Sequence, residues 1–354
     1  MNTCLIRNIE RRGIMVTTMK EVAERAGVSK STVSQFLNKR YNYMSESTKK
    51  KIEQAIEELS YIPNEVARSL KQKKTFIVGV ISSTILSRFT TEIVRAIEDE
   101  CQLENVQVIV CNTDDDSLKE KKYVQSMIAR QVDGLIIFPT EENKKLYVSL
   151  VKSGYPFVFV DRKIDEINVD TVLLNNEKAS ELAVEALIEH GHKNIGIITF
   201  PLGKKAITTR SERLSGYRNT FGKHDISVHE NYIKSGRLDE MPDLIRQLFH
   251  MENPPTAIIA TNDMILEQVL IYAKNNHLTI PNDFSLIGID DVSFASFYNP
   301  PITTVSQPSF EMGRRSARLL LDKIDHKEQK HEQLSEIIRL NPVINHRESV
   351  QKLN

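Results

Sequence analysis

A chain of 354 residues is longer than one hydrophobic core usually supports, and its 40% hydrophobic content excludes a largely disordered protein. The formal net charge is zero, which alone points to no partner, and the longest apolar runs (76–81 and 156–160) fall far short of the roughly 20 residues of a membrane-spanning helix. Two or three domains, soluble and without a membrane partner, are expected.

The opening stretch MNTCLIRNIERRGI lacks the apolar core and cleavage site of a secretory signal, and Cys4, Cys101 and Cys111 form no disulfide framework. A reducing cytoplasm is the expected compartment. Arg11-Arg12-Gly13 before Met15 is what a purine-rich ribosome-binding site encodes when translated. Residues 1–14 are therefore either a non-native extension, with Met15 the true start, or a short basic arm. Residues 15–74 carry twelve Lys and Arg against seven Asp and Glu, a net +5, and residues 1–14 add +2, which leaves −7 from residue 75 onward. A basic head on an acidic body suggests an anionic partner for the head.

In the head, Thr18 with Glu21 forms a capping box for a helix over 19–26, and Gly27 stops it. Ser29 or Ser31 caps a second helix through Leu37. Val22, Ala26, Val28, Val33, Phe36 and Leu37 can share a core, which leaves Lys30, Ser31, Thr32, Ser34 and Gln35 outside; this is helix-turn-helix spacing. A third helix over 45–59 places Ile52, Ala55, Ile56 and Leu59 on one face, with Lys49, Lys50 and Lys51 near its start. Asn64 can cap a further turn or two, 65–71, too short to be stable alone in water.

The joint pattern A-x-x-A-G-V-S-x-x-T-V-S-x-x-L-N, followed by Tyr61-x-Pro63-Asn64 and EVARSLK, resembles the LacI/GalR (lactose-repressor/purine-repressor) family of bacterial transcription regulators. The resemblance implies that the second helix lies in the major groove of an operator, with Lys30, Ser31 and Gln35 at the base-reading positions. By donor geometry Lys30 serves a guanine and Gln35 the N6/N7 edge of adenine. Many family members carry arginine in place of Gln35, so their usual guanine preference does not transfer. Thr18, Ser29, Thr32, Ser34, Asn38 and Tyr61 are expected as phosphate contacts or caps. The resemblance also implies that segment 65–71 pairs across a dimer in the minor groove, with Leu70 as the kinking wedge, Ala67 small enough for close approach, and Arg68 and Lys71 on the groove or backbone.

From residue 76, strand-like runs (FIVGVIS, VQVIVCN, GLIIFP, PFVFVD) alternate with helical segments 90–103, 117–129 and 142–153. A second set follows, with TVLLNN, IGIITF, TAIIATND and FSLIGIDD separated by helices 175–190, 210–221 and 265–276. This is the rhythm of two parallel α/β lobes. The family resemblance continues through DGLII, HGHKNIG, RSERLSGY, IIATND, IGIDD and PPITTVSQP. The expected fold is α/β: a three-helix helix-turn-helix head (15–62), a hinge helix and linker (63–75), and a periplasmic-binding-protein-like body of two doubly wound parallel lobes (76–354). Lobe 1 is expected over about 76–161 and 292–325, lobe 2 over about 162–291 and 326–345. The helix 310–323 returns the chain to lobe 1, and IIRLNPVINHRES reads as a final strand and tail. The C-terminal end carries no leucine heptad, so a homodimer rather than a tetramer is expected.

Ligands of such sheets bind at the carboxyl ends of strands, and several strands here end in polar groups: Asp161-Arg162, Asn262-Asp263 and Asp290-Asp291. A carboxylate or amide at a strand end is also a common helix N-cap. By position the family's effector-binding residues match Phe89, Asp161, Arg213, Asn262, Asp290 and Gln307, with Arg88 and Arg162 beside them. Asp and Asn suit hydroxyl pairs, Phe89 a sugar ring face, and Arg213 a carboxylate, phosphate or adjacent hydroxyls. Three arginines favour an acidic sugar unless Arg88 and Arg162 are already paired with carboxylates.

There is no GxxxxGK[ST] loop, GxSxG elbow or GxGxxG after a strand, and His190-Gly-His192 reads as a helix end rather than a metal site. No catalysis, cofactor or metal is expected. The expected function is a repressor of a carbohydrate or sugar-acid operon, binding double-stranded operator DNA as a dimer under control of a small sugar or sugar acid. A regulator that needs a coregulator protein is the second reading, and an enzyme the third.

Overall fold

A computed structural model describes residues 17–42, 44–63, 74–202, 207–326 and 335–353. The chain divides into two compact units, 1–75 and 76–354.

In the first unit, α1 (Met19–Ala26) begins at the expected capping box: Thr18 N donates to the Glu21 carboxylate at 2.7 Å, and the Thr18 hydroxyl accepts from Glu21 N. It ends at Gly27, whose φ of 66° is left-handed and favours glycine. Ser29 caps α2 (Lys30–Leu37) and Ser45 caps α3 (Glu46–Glu58). Val22, Val33 and Ile52, one from each helix, are fully buried and form the centre of a small core.

In the second unit, the first sheet has strand order β11-β5-β4-β3-β1-β2, built from β1 (Ile77–Ser82), β2 (Gln107–Asn112), β3 (Gly134–Ile137), β4 (Phe157–Val160), β5 (Thr171–Leu174) and β11 (Ile337–Leu340). Every pairing in it is parallel. Its faces are covered by α4 (Arg88–Leu103), α5 (Ser117–Ala129), α6 (Lys144–Lys152) and α11 (Ser309–Asp325). Helices α4 and α11 pack so closely that a Cβ on Gly313 would lie 2.4 Å from the carbonyl oxygen of Ile93.

The second sheet has order β12-β10-β9-β8-β6-β7, from β6 (Ile195–Thr199), β7 (Ile233–Ser235), β8 (Ala257–Ala260), β9 (Ser285–Ile289), β10 (Thr303–Ser306) and β12 (Val343–Asn345). Only β12 runs antiparallel. Its helices are α7 (Asn176–Glu189), α8 (Thr208–Lys223), α9 (Met241–Phe249) and α10 (Asp263–Asn275). Helix α9 and strand β7 are absent from the sequence reading. Pro242 sits in the first turn of α9, where its missing N–H leaves no bond unmade.

The two-lobe rhythm is present, but the expected lobe boundaries need correction. Strand β5 lies in 162–291, expected in lobe 2, yet it pairs with β4 in the first sheet through Phe159↔Thr171. Strand β10 lies in 292–325, expected in lobe 1, yet it pairs with β9 in the second through Thr303↔Ile287. The expected single final strand is two, one in each sheet, divided at Asn341-Pro342. Proline lacks the N–H to continue a ladder, so the chain leaves the first sheet there and enters the second. Three crossings therefore join the lobes, near Asn175, Gln307 and Asn341.

Candidate functional site

Between the lobes lies a cavity of about 440 Å³, within the size range of small-molecule sites. Its wall is built from strand ends: Ser83 follows β1, Asp115 follows β2, Asp161 and Arg162 follow β4, and Thr199 closes β6. Asn262 follows β8, Asp290 follows β9 and Gln307 follows β10. Four of its aspartates, Asp114, Asp115, Asp161 and Asp290, have left-handed backbone, with φ of 54°, 57°, 68° and 91°. Aspartate tolerates that region better than most residues, and such backbone concentrates at ligand sites.

Arg213, on α8, is buried and donates from Nε to Asn176 Oδ1 at 3.0 Å and from Nη1 to the Thr261 carbonyl. Gln307 Nε2 donates to Asp290 Oδ1, and Asp263 N donates to Asp290 Oδ2 at 3.2 Å. Burial, with Asp263 close by, pushes the Asp290 carboxyl up to about 7. Burial also raises Asp161, against the pull of Arg162 and Arg213. Asp115 goes the other way: burial works to raise it, but Arg162 and Arg210 together hold it below the usual carboxylate value.

Five buried side-chain atoms among the described residues lack a hydrogen-bond partner, and four of them belong to residues lining this cavity: Asp161 Oδ1, Arg162 Nε, Thr199 Oγ1 and Gln307 Oε1. Buried polar atoms are rarely left unpaired. These four come from both lobes and face one cavity, where a polar ligand would complete them.

Seven of the eight expected effector residues, Phe89, Asp161, Arg162, Arg213, Asn262, Asp290 and Gln307, line the cavity. Arg88 does not. It lines a neighbouring recess of about 80 Å³, and its Nε bonds Glu92 one helical turn away at 2.7 Å. An i,i+4 partner on its own exposed helix face takes the guanidinium out of the main cavity. Arg162 is also paired, with Asp115 at 2.7 Å, so the condition under which three arginines favour an acidic sugar is not met, and an acid preference has to rest on other residues of the wall. Asn262 is both a lining residue and the N-cap of α10, accepting from Ile265 N at 2.9 Å.

Sequence reasoning missed Asp115, Thr199 and Arg210 in the wall, and the lobe-to-lobe clasp in which Asp263 accepts from Ser87 Oγ at 2.9 Å and Arg88 N at 2.7 Å. The signal for Asp115 was present: Asp114-Asp115-Asp116 follows an apolar strand, as the polar pairs at the other strand ends do. Arg210 lies one turn before Arg213, on the same face of α8.

Asp290 sets a pH dependence. Its folded carboxyl is pushed up to about 7, whereas an unfolded one titrates at about 3.9. The folded protein therefore keeps a proton that the unfolded chain has released across that window. The stability contributed is present below about pH 4 and lost as pH rises toward 7, by at most about 1.4 kcal/mol per pH unit. Asp290→Asn is expected to flatten this slope, read as the wild-type-minus-variant difference in urea unfolding free energy at pH 5 and pH 7.5.

In the first unit, Lys30, Ser31 and Gln35 are exposed on α2. The Ser31 hydroxyl lies 2.6 Å from Ser29 Oγ, which also accepts from Thr32 N at 3.2 Å. Asn38 Nδ2 caps the carbonyl of Ser34 at 2.7 Å, and Thr18 is spent in the capping box. Tyr61 departs from the expectation of a surface contact or cap. It is 7% exposed and packs in the core with Val22, Val33 and Ile52, because an aromatic ring after α3 is what closes so small a core. Lys49 pairs with Glu46 at 2.5 Å and lies over the Tyr41 ring, whereas Lys50 and Lys51 are exposed. Met15, Asn64, Ala67, Arg68, Leu70 and Lys71 lie outside the described residues.

Among the described residues no group of three or more His, Cys, Asp or Glu is disposed to hold a metal, and no helix is long and apolar enough to cross a membrane. His192 is a buried packing residue, with Nδ1 2.8 Å from Thr256 Oγ1 and Nε2 3.0 Å from the Gln351 carbonyl.

Comparison with known proteins matches residues 18–64 to the model of bacterial regulatory proteins of the lacI family, and residues 184–350 to a periplasmic binding protein-like domain. The chain is 93% identical over 340 residues to a probable HTH-type transcriptional regulator, EndR, of Paenibacillus polymyxa, covering 96% of this chain and all of that one. It superposes on the lac repressor dimer bound to operator and the anti-inducer ONPF with a TM-score of 0.82 at 26% identity, covering 95% of this chain and 99% of that one. On the transcriptional regulator CelR in complex with cellobiose the TM-score is 0.69 at 26% identity, covering 94% of this chain and 99% of that one. With the helix-turn-helix, the two parallel lobes and this breadth of similarity, the chain belongs to the lacI family of bacterial regulatory proteins and is a transcription regulator, not an enzyme.

Proposed function

We propose that the protein is a dimeric repressor of a carbohydrate or sugar-acid catabolic operon, whose affinity for a palindromic operator is set by a small sugar or sugar acid held between the lobes. The observation that carries this reading is the cavity wall, where unpartnered buried acceptors and donors stand among arginines and aspartates in a pattern suited to a polyhydroxylated ligand. Support also comes from the lac repressor dimer on its operator and from CelR holding cellobiose. The mechanism is linkage: a ligand that binds one arrangement of the lobes more tightly shifts the population toward it, and with it the presentation of two heads to DNA.

On the DNA side, Lys30, Ser31 and Gln35 read base edges, Thr32 and Ser34 hold the DNA backbone, and Thr18, Ser29 and Asn38 act as the caps that fix the helices. Segment 65–71 takes the minor groove through Leu70, flanked by Ala67, Arg68 and Lys71, with Asn64 as its cap. Gln35→Arg is expected to move the preference at one operator position from adenine to guanine, worth about 1–3 kcal/mol of discrimination. Selection of binding sites from randomised half-sites checks it, and an unchanged preference would remove Gln35 from the base-reading set. The whole proposal is tested by titrating the full chain with neutral sugars and sugar acids while following both its melting and its retention on operator DNA.

A further inference from the structure

One carboxylate in the cavity wall serves two arginines. Asp115 Oδ1 accepts from Arg162 Nη1 at 2.7 Å, and its Oδ2 accepts from Arg210 Nη2 at 2.8 Å. Neither guanidinium is free to seek water: the side chains are 9% and 16% exposed. Arg210 is further held by the Pro201 carbonyl at 2.6 Å and lies 5.6 Å from the centre of the Phe200 ring. Asp161 is the next carboxylate, 3.5 Å from Arg162 Nε, and burial raises it above the usual carboxylate value against the pull of Arg162 and Arg213.

Two buried guanidiniums thus share the one carboxylate of Asp115. Arg162 Nε is buried with no hydrogen-bond partner, and burial together with the neighbouring Arg162 pulls the Arg210 guanidinium below its ordinary value, whereas Asp115 and Asp161 hold Arg162 above its own. Two planar forks converging on one point form a receptor for a carboxylate.

We propose that the effector is a sugar acid whose carboxylate is bound by Arg162 and Arg210, and that Asp115 competes with it for both guanidiniums. Arg210 and Asp115 are thereby specificity-determining residues of the cavity. This rests on the carbohydrate reading above and narrows it to one charge class. It also places the recognised charge on a bond between lobes, since Asp115 follows β2 of the first lobe and Arg210 lies on α8 of the second. An entering carboxylate replaces an internal ion pair that ties the lobes, so recognition of charge and rearrangement of the lobes become one event.

The test is calorimetric titration of the full chain with D-galacturonate and D-glucuronate, each against its neutral counterpart, galactose or glucose. The uronates are expected to bind about tenfold or more tightly than the neutral sugars. Arg210→Gln is expected to collapse that ratio toward one, and Asp115→Asn to raise it, while lowering the melting temperature of the protein without sugar. Circular dichroism confirms that both variants are folded, and the opposite directions of the two separate recognition from damage. Neutral sugars binding as tightly as their acids, or a ratio that survives Arg210→Gln, would overturn the inference and leave the carbohydrate reading standing. Binding of neither class would overturn both.

Discussion

Ile52→Ala is expected to unfold the head and abolish DNA binding while the body keeps its own melting transition. Ile52 is fully buried in a cluster whose other buried members are Val22, Ala23, Ala26, Val33, Ala55 and Tyr61. Three of those are alanines, so Ile52 supplies a large share of the apolar volume. Truncating a buried isoleucine to alanine costs roughly 2–5 kcal/mol through lost burial and the cavity left behind. A core of this size supplies only about 3–5 kcal/mol in total, so the substitution consumes most of it. The body has separate clusters on both of its sheets and loses nothing. Calorimetry should show the body's transition unmoved, and anisotropy with labelled DNA should show no complex. Ile52→Val, at about 0.5–1.5 kcal/mol, should retain binding.

Arg213→Ala is expected to remove the response to effector by a larger margin than any other single substitution in the cavity. The guanidinium is buried between the Asn176 amide and the Thr261 carbonyl, and its charge works against the burial that raises both Asp161 and Asp290. Its loss leaves two buried carboxyls with less compensation and an acceptor at Asn176 unmet. Truncating one member of such a buried charged set costs about 2–5 kcal/mol, roughly thirty- to several-thousandfold in effector affinity. The measurement is the sugar concentration that half-changes operator retention. Arg213→Lys should recover little, because an ammonium cannot span the Asn176 and Thr261 acceptors in one plane.

What was legible in the sequence follows from how local its cause is. Helix ends in the head are written in single residues, Thr18 with Glu21, Gly27 and Ser29, and each acts there as its chemistry dictates. Strand pairing is not local. The run TVLL is apolar and fully buried, so it fits the middle of either sheet; only the ladder to Phe159 and Val160 decides, and that depends on the path between them. The same holds for β10. In the final segment Pro342 was the available signal that one strand had to become two. In the cavity, strand-end polar residues were readable because topology forces ligand-facing side chains to that edge. Arg88 was misplaced because the carboxylate its guanidinium pairs with, Glu92, lies on the same helix, and Tyr61 because a tyrosine just past a helix end carries a hydroxyl for a contact and a ring for a core alike. Asp115 with Arg210 joins positions 95 residues apart, a pairing that only the fold brings together.

The central claim is that a ligand in the cavity sets affinity for DNA. Footprinting on genomic DNA in the presence and absence of candidate sugars supplies the operator. The decisive measurement is then the dissociation constant of the full chain for that operator, with and without the sugar that shifts its melting most. The account predicts one palindromic site bound by two chains, with an affinity that the sugar changes by about tenfold or more, and a change that vanishes in Arg213→Ala. An operator affinity indifferent to a sugar that demonstrably occupies the cavity would contradict it.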